Sequence, residues 1–488
     1  MGIVFRQSLS NTIITYLGFG VGAVNTLFLY TRFLTAEYYG LVGVILSTSA
    51  IIMPFLAFGV PNALIKYYSS FKDRHAENGF LLLMLLLPMV LIIPLGLLSV
   101  LANESIAHFL ARKNAIVQDY VWHIFFIGFA MAYFEIFYSW SKVQLKSVFG
   151  NFMKEVFVRI GVSILLAGVY LNLLSVEGFL IALVGLYVLR LLVMTAYAFK
   201  LRPPEWSVRW PGNTREISYY SFLIIFGASA SVLLLELDRF MINQFIEIEN
   251  VAYYGVAVFI ATVIAVPLRS MHQVTYPITA GMMNRQEESG LKKLYQKSSL
   301  TLFIVSALIF LLIMINLEDL YLVLPPEYRG GTIVVLLIGL VRVYDALLGI
   351  NSAILYNSEY YRAVLLMGFV LALLIVLFNL WLIPALGMNG AALASLLAIA
   401  IYDSVKLYYV WLKFHIHPFT KGSLVVSVLL LVLGIIFYLL NFPFSPIWNI
   451  LIKSALLLLV YFGILLKYKV SEDVSKVFAV SIERVLKR

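Results

Sequence analysis

The residues that could do chemistry in this chain are charges set into apolar sequence. Glu135, Arg159, Arg190, Glu236, Asp238, Arg239, Arg342, Asp345, Asp403, Lys406 and Lys453 all stand within or at the ends of long hydrophobic runs. A charge near the middle of a bilayer costs at least about 2.5–3.5 kcal/mol, so such residues usually face a cavity or a partner. A guanidinium meets a phosphate with a bidentate fork, and a water-poor cavity strengthens the contact. Arg32, Lys66, Arg239, Arg269 and Arg342 are therefore candidate receptors for an anionic headgroup. The carboxylates of Glu135, Glu236, Asp238, Asp345 and Asp403 would balance those cations or bind a proton or sodium ion. Plainer readings compete with these. Arg342 and Asp345 are three residues apart, as are Asp403 and Lys406, so each pair shares a helical face and self-neutralisation is the favoured reading. Asp238, Arg239 and Arg32 lie near run ends, where snorkelling is an equally good account, and Lys453 reads as a snorkelling residue.

Other chemistry finds little support. No phosphate-binding Gly-rich loop with its lysine is present, nor an HExxH helix, a paired His/Cys set or a serine nucleophile elbow. The six histidines are scattered, and His415 and His417 beside Lys413 read as an interfacial cluster rather than a metal site. No cofactor or metal is expected, and the chain reads as a non-enzyme. An intramembrane glycosyltransferase would need acidic residues on a sizeable outer loop, an idea that only Asp119 and Glu104 keep alive.

The elements that must position these charges are membrane helices. With 62% hydrophobic and 12% charged residues, a chain of 488 residues has too much apolar surface to hide from water. Apolar stretches of about 20 residues recur along its length, which excludes the shorter alternating strands of a membrane β-barrel. Backbone polar groups in hydrocarbon must be satisfied within the segment, so the stretches are helices. About fourteen spans are expected, near 10–32, 40–62, 79–101, 119–141, 156–175, 178–199, 217–238, 251–274, 299–321, 331–353, 363–383, 389–411, 423–441 and 447–467. Arg6 precedes a full-length span, which argues against a cleavable signal peptide. The absence of cysteine excludes disulfides and thiol chemistry.

Basic residues set the orientation. With the N-terminus in the cytoplasm, 25 of the 35 Lys and Arg fall at inner ends and inner loops, 5 in outer loops and the rest within spans, which places both termini inside. The same distribution accounts for the net charge of +10 without nucleic acid. All seven tryptophans, Trp140 and Trp206 among them, fall near proposed span ends or in flanking loops, where an indole prefers the interface. The inner loops are basic and suit contact with membrane lipids. The tail 471–488 reads either as a surface helix with a basic face or as a short solvated end.

The chain reads as duplicated, with Leu233 to Pro267 opening the second copy. At an offset of about 210–215 residues, Tyr39-Gly40 matches Tyr254-Gly255, Pro54 matches Pro267, Glu135 matches Asp345, Lys154 falls near Arg362, and Gly178 matches Gly390. Six spans per copy is an even number, so the copies are parallel and related by an axis along the membrane normal, with a cavity between two six-helix bundles. The expected organisation is an N-terminal six-helix lobe at 1–215, a C-terminal six-helix lobe at 216–420, helices 13 and 14 at 421–470, and a basic cytoplasmic tail at 471–488. Prolines inside spans break the backbone ladder; Pro88 and Pro94 read as static kinks, whereas Pro54 and Pro267 sit at matched positions suited to bending.

Four segments carry a resemblance. They are Phe33-Leu34-Thr35-Ala36-Glu37-Tyr38-Tyr39-Gly40; Phe58-Gly59-Val60-Pro61-Asn62-Ala63-Leu64-Ile65-Lys66; Leu237-Asp238-Arg239-Phe240 with Val251-Ala252-Tyr253-Tyr254-Gly255; and Ile383-Pro384-Ala385-Leu386-Gly387-Met388-Asn389-Gly390-Ala391-Ala392. In order and spacing, over residues 1 to about 420, they resemble the polysaccharide-biosynthesis flippases of the O-antigen and capsule type, within the multidrug/oligosaccharidyl-lipid/polysaccharide exporter superfamily. The resemblance implies an all-α two-lobed bundle that moves a polyprenyl-pyrophosphate-linked oligosaccharide from the inner to the outer leaflet of the bacterial cytoplasmic membrane by alternating access. Relatives that flip the peptidoglycan precursor line the cavity with arginines and carry two extra helices, a pattern with which fourteen spans and Arg32, Arg239, Arg269 and Arg342 agree. The alternative within the superfamily is a multidrug or cation exporter driven by a proton or sodium gradient, which the carboxylates leave open. A polymerase or ligase of the same pathway would want a large outer loop. A scaffold that docks a glycan polymerase and other pathway enzymes through basic inner loops is a further alternative.

Overall fold

The computed structural model describes residues 3–71, 73–205 and 210–471. Among these residues every regular element is helical and there is no strand. Among the described residues, twelve helices are long and apolar enough to cross a membrane. Of the other two expected spans, one falls in the helical run 147–170, which carries Lys154, Glu155 and Arg159, and the other within Thr214–Phe245. Lys72, Trp206, Arg209 and the tail from 472 lie outside the described residues. The chain divides into two compact units, Met1–Gly255 with Gly368–Ala391, and Val256–Met367 with Ala392–Arg488.

In the first unit the central helix is Ala36–Leu56, whose 21 residues at about 1.5 Å each reach about 31 Å, the thickness of a hydrocarbon core. It starts where Thr35 adopts extended backbone and its hydroxyl accepts from the Tyr38 N–H. It packs against Val121–Val143 and Thr214–Phe245, and Val121–Val143 packs in turn on Val176–Leu201. Gly40 is the point of closest approach: a Cβ there would lie 2.1 Å from the Ile248 carbonyl oxygen, so only glycine lets the two backbones touch. Gly255, the matching residue of the second Tyr-Gly pair, is different. A Cβ there would meet nothing nearer than the Arg239 guanidinium at 3.9 Å. After Leu56 the chain turns sharply through Phe58 (φ 51°) and Gly59 (φ 66°), and Gly59 also lies against the Ser221 carbonyl.

Two π turns interrupt this unit, Asn25–Leu29 in the first span and Met153–Phe157 in the helical run 147–170. The helix before the first packs on the second, and the helix after the second, Val158–Tyr170, packs on the first. Asn25, 3% exposed, ties them: its Nδ2 donates to the Arg159 carbonyl at 2.7 Å and its Oδ1 accepts from Ser163 at 2.6 Å.

In the second unit the central helix is Glu288–Val323, which packs against Thr332–Leu348, Val266–Asn284, Lys421–Tyr438 and Pro446–Lys467. Lys421–Tyr438 shows why. Val426, Leu429, Leu433 and Phe437, spaced by three and four, are buried among Phe303, Ala307 and Leu311, while Leu424, Val428, Leu431 and Ile435 form an exposed apolar stripe suited to lipid. Pro267 opens Val266–Asn284 directly after a 3₁₀ turn at Val263–Ala265, whereas Pro54 sits inside its helix.

Two readings of the sequence are corrected here. Lys453 does not snorkel: it is 2% exposed and donates to Asp319 at 3.0 Å and Asn441 at 2.8 Å. Asn449 donates to the other Asp319 oxygen at 3.0 Å, so the last helix is fastened to the central one by a satisfied buried ion pair. Trp140 does not present its indole to the membrane surface; it is fully buried and packs on Phe137 and Phe199.

Candidate functional site

The charges expected from sequence gather into three groups. The first lies where Thr214–Phe245 meets the following helix. Glu236 accepts from Arg239 at 3.1 Å across one helical turn. Asp238, 3% exposed, accepts from the Tyr254 hydroxyl at 2.5 Å and from Asn379 Nδ2 at 2.8 Å. Asp238 therefore holds three segments of its unit together, and Gly255 leaves room beside it for the Arg239 guanidinium. A Cβ there would make only ordinary van der Waals contact with the cation, so this glycine is not required by crowding as Gly40 is.

The second group lies on Val121–Val143 and Val176–Leu201 and in the π turn Met153–Phe157 of the same unit. Glu135 and Lys142 are seven residues apart, two turns along one face. Lys154 reaches Glu135 at 2.6 Å. Lys142 and Arg190 are within electrostatic reach of the same carboxylate. Lys142 Nζ sits 3.8 Å above the Tyr138 ring, and the Arg190 guanidinium lies over Phe134 at 4.1 Å and Tyr187 at 4.7 Å.

The third group belongs to the second unit. Lys406 bonds Asp403 at 2.7 Å and Ser352 Oγ at 3.0 Å and lies 4.4 Å from the Tyr402 ring. Both Asp345 and Arg342 act on Asp403 electrostatically. Of the two pairs spaced by three, Asp403–Lys406 closes on itself and Arg342–Asp345 does not form an ion pair among the described residues. Arg342 Nε and Asp403 Oδ2 are buried without hydrogen-bond partners.

The remaining expected residues stand apart from these groups. Arg32 is exposed, 5.9 Å from the Phe28 ring. Lys66 is exposed at the end of Val60–Tyr67 and lies 3.8 Å from the Tyr220 ring. Arg269 is exposed one turn after the 3₁₀ break. Lys142, Lys154 and Arg190 were not legible as a set. Two of them read as ordinary inner-loop cations, and only Arg190, a charge in mid-span, carried a signal of its own. No group of His, Cys, Asp and Glu suited to a metal ion occurs among the described residues.

Comparison with known proteins agrees with this architecture. No curated protein sequence matches the chain. A solved structure of the lipid II flippase MurJ in an inward closed conformation aligns with a TM-score of 0.71 at 13% identity, over 94% of this chain and 99% of that one. An inward-facing multidrug resistance MATE family transporter of the MOP superfamily gives 0.63 at 14% identity, over 83% and 94%. A MOP superfamily transporter from Pyrococcus furiosus, described by the reverse polarity of its binding pocket, gives 0.56 at 14%, over 85% and 95%. At these identities the likeness is one of fold, and this chain is a multi-pass membrane protein with that transporter fold. A profile of the family described as polysaccharide biosynthesis protein matches residues 4–283 of the 488. The chain belongs to that family of polysaccharide biosynthesis proteins.

Proposed function

We propose that the protein is a flippase that carries a polyprenyl-pyrophosphate-linked oligosaccharide from the inner to the outer leaflet of the bacterial cytoplasmic membrane, for surface polysaccharide synthesis. Membership of the polysaccharide biosynthesis family is the observation that carries this reading. The transporter fold supports it, since such a fold offers a route for a charged headgroup through hydrocarbon. On this reading the lobes 1–215 and 216–420 alternate access around the substrate, helices 13 and 14 are additions, and both termini lie in the cytoplasm. Arg32, Lys66, Arg239, Arg269 and Arg342 receive the headgroup, and Glu135, Glu236, Asp238, Asp345 and Asp403 balance or couple charge. A glycan polymerase and other enzymes of the pathway are its partners.

Cells lacking the protein test the reading. Lipid-linked oligosaccharides are extracted and their leaflet determined in spheroplasts, alongside surface glycan. Complete units trapped on the inner leaflet with loss of surface glycan are the expected result. Normal surface glycan with sensitivity to cationic drugs would replace this reading with that of a cation exporter.

A further inference from the structure

We propose that Lys142, Lys154 and Arg190 form a binding site for a phosphate-class anion, and that Glu135 is a built-in competitor that occupies the site until the anion arrives. The flippase reading is needed only to say that such an anion would be a lipid pyrophosphate.

Charge balance is the first argument. Three cations converge on one carboxylate from three helical segments, and that carboxylate touches only Lys154, at 2.6 Å. Glu155, which also acts on Lys154, is engaged by Arg159 at 2.8 Å. Two positive charges of the cluster are therefore left without an anionic contact among the described residues. Arg190 is the sharpest case: it is 6% exposed, its Nε has no acceptor, and it stands in no ion pair among the described residues. The faces of Phe134 and Tyr187 orient its plane and offset part of its charge, but they accept no hydrogen bond from its edge.

The second argument is contrast within the same protein. Lys453, a buried cation with a purely structural task, is satisfied by Asp319, Asn441 and the Ile315 carbonyl. The Glu135 cluster lacks such closure. It is also open: the Lys154 side chain is 43% exposed and that of Glu135 19%. A lysine turned toward acyl chains would be costly, so the open side faces water or a polar ligand. A phosphate or pyrophosphate suits this charge set, because several oxygens of one anion can accept from ammoniums and a guanidinium fork together, which one carboxylate cannot.

The purified full-length protein in detergent is titrated with inorganic pyrophosphate by calorimetry at fixed ionic strength. Wild type should bind, Lys142→Gln and Arg190→Gln should each weaken binding about ten-fold or more, and Lys142→Arg should restore it. Glu135→Gln should bind about ten-fold more tightly, because Lys154 is released from its competitor. A merely structural Glu135–Lys154 pair moves the other way, so unchanged or weaker binding by a Glu135→Gln protein that elutes as wild type overturns the proposal. So does equal binding in wild type and every variant. Competition by a polyprenyl pyrophosphate assigns the site to a lipid headgroup, and its failure to compete assigns the site to a free anion. A site that binds in cells that flip no oligosaccharide would separate failure of the flippase reading from failure of this one.

Discussion

Replacing Asp319 by Asn should unfasten the last helix. Lys453 is 2% exposed, and its ammonium has one charged partner, Asp319 at 3.0 Å, beside the neutral oxygens of Asn441 and Ile315. Asp319→Asn keeps the shape and removes the charge. A buried cation without its counter-charge costs about 3–5 kcal/mol. At about 1.4 kcal/mol per ten-fold change, local opening of Pro446–Lys467 from Glu288–Val323 should rise by about two to three and a half powers of ten. The chain has no cysteine, so a Cys pair reports this cleanly. Asn316 Nδ2 and Ser454 Oγ lie 3.0 Å apart across the same helices, and Asn316→Cys with Ser454→Cys should cross-link readily in the parent. With Asp319→Asn added, cross-linking should slow and the detergent melting temperature should fall. The double change Asp319→Leu with Lys453→Met removes both charges and should recover most of the loss, because well-packed apolar replacements of a buried pair are often neutral. If Asp319→Asn melts and cross-links like the parent, the pair carries no weight and the fastening lies in the apolar packing alone.

Three further outcomes rest on local geometry. Gly40→Ala should cost about 3 kcal/mol because its Cβ would overlap the Ile248 carbonyl, whereas Gly255→Ala should be neutral or stabilising by up to about 1 kcal/mol; melting of the two variants checks this. Gly349→Ala should destabilise by about 2 kcal/mol or more, since φ is 56° and a Cβ would lie 2.9 Å from the Ser299 backbone; yield and melting of the purified variant report it. Asn25→Ala should cost about 1–3 kcal/mol by leaving Ser163 and the Arg159 carbonyl with fewer partners, and hydrogen exchange across 153–163 should rise.

Composition alone made the helical membrane class legible, because no other arrangement satisfies the backbone of such apolar stretches. The breaks were not read: the expected spans 40–62 and 251–274 run through Gly59, which takes the left-handed turn, and Pro267, which opens a new helix instead of sitting inside one. Spacing within one helix also read well in part, since Asp403 does meet Lys406 three residues on. The same rule failed for Arg342 and Asp345, because helical spacing permits a pair but neighbouring helices decide where each charge goes. Partners far apart in sequence were out of reach. Nothing in periodicity joins Lys453 to Asp319 or gathers Lys142, Lys154 and Arg190 around Glu135. Those associations depend on which helix packs against which.

The paired π turns bear on how this chain can change length. A π turn carries one residue more than an α-helical ladder has places for. Deleting one residue from Asn25–Leu29 would close that turn to plain α-helix and leave the helices on either side near their present rotation. What would be lost is local, the contacts of Asn25 with Ser163 and the Arg159 carbonyl. The same holds for Met153–Phe157. A deletion in regular α-helix has no such slack: taken between Gly18 and the first turn, it would rotate Gly18 by about 100° away from the Glu155 carbonyl it lies against. The two turns, 128 positions apart at their first residues (25 and 153), are therefore where these two helices can each shed a residue without turning their packed faces.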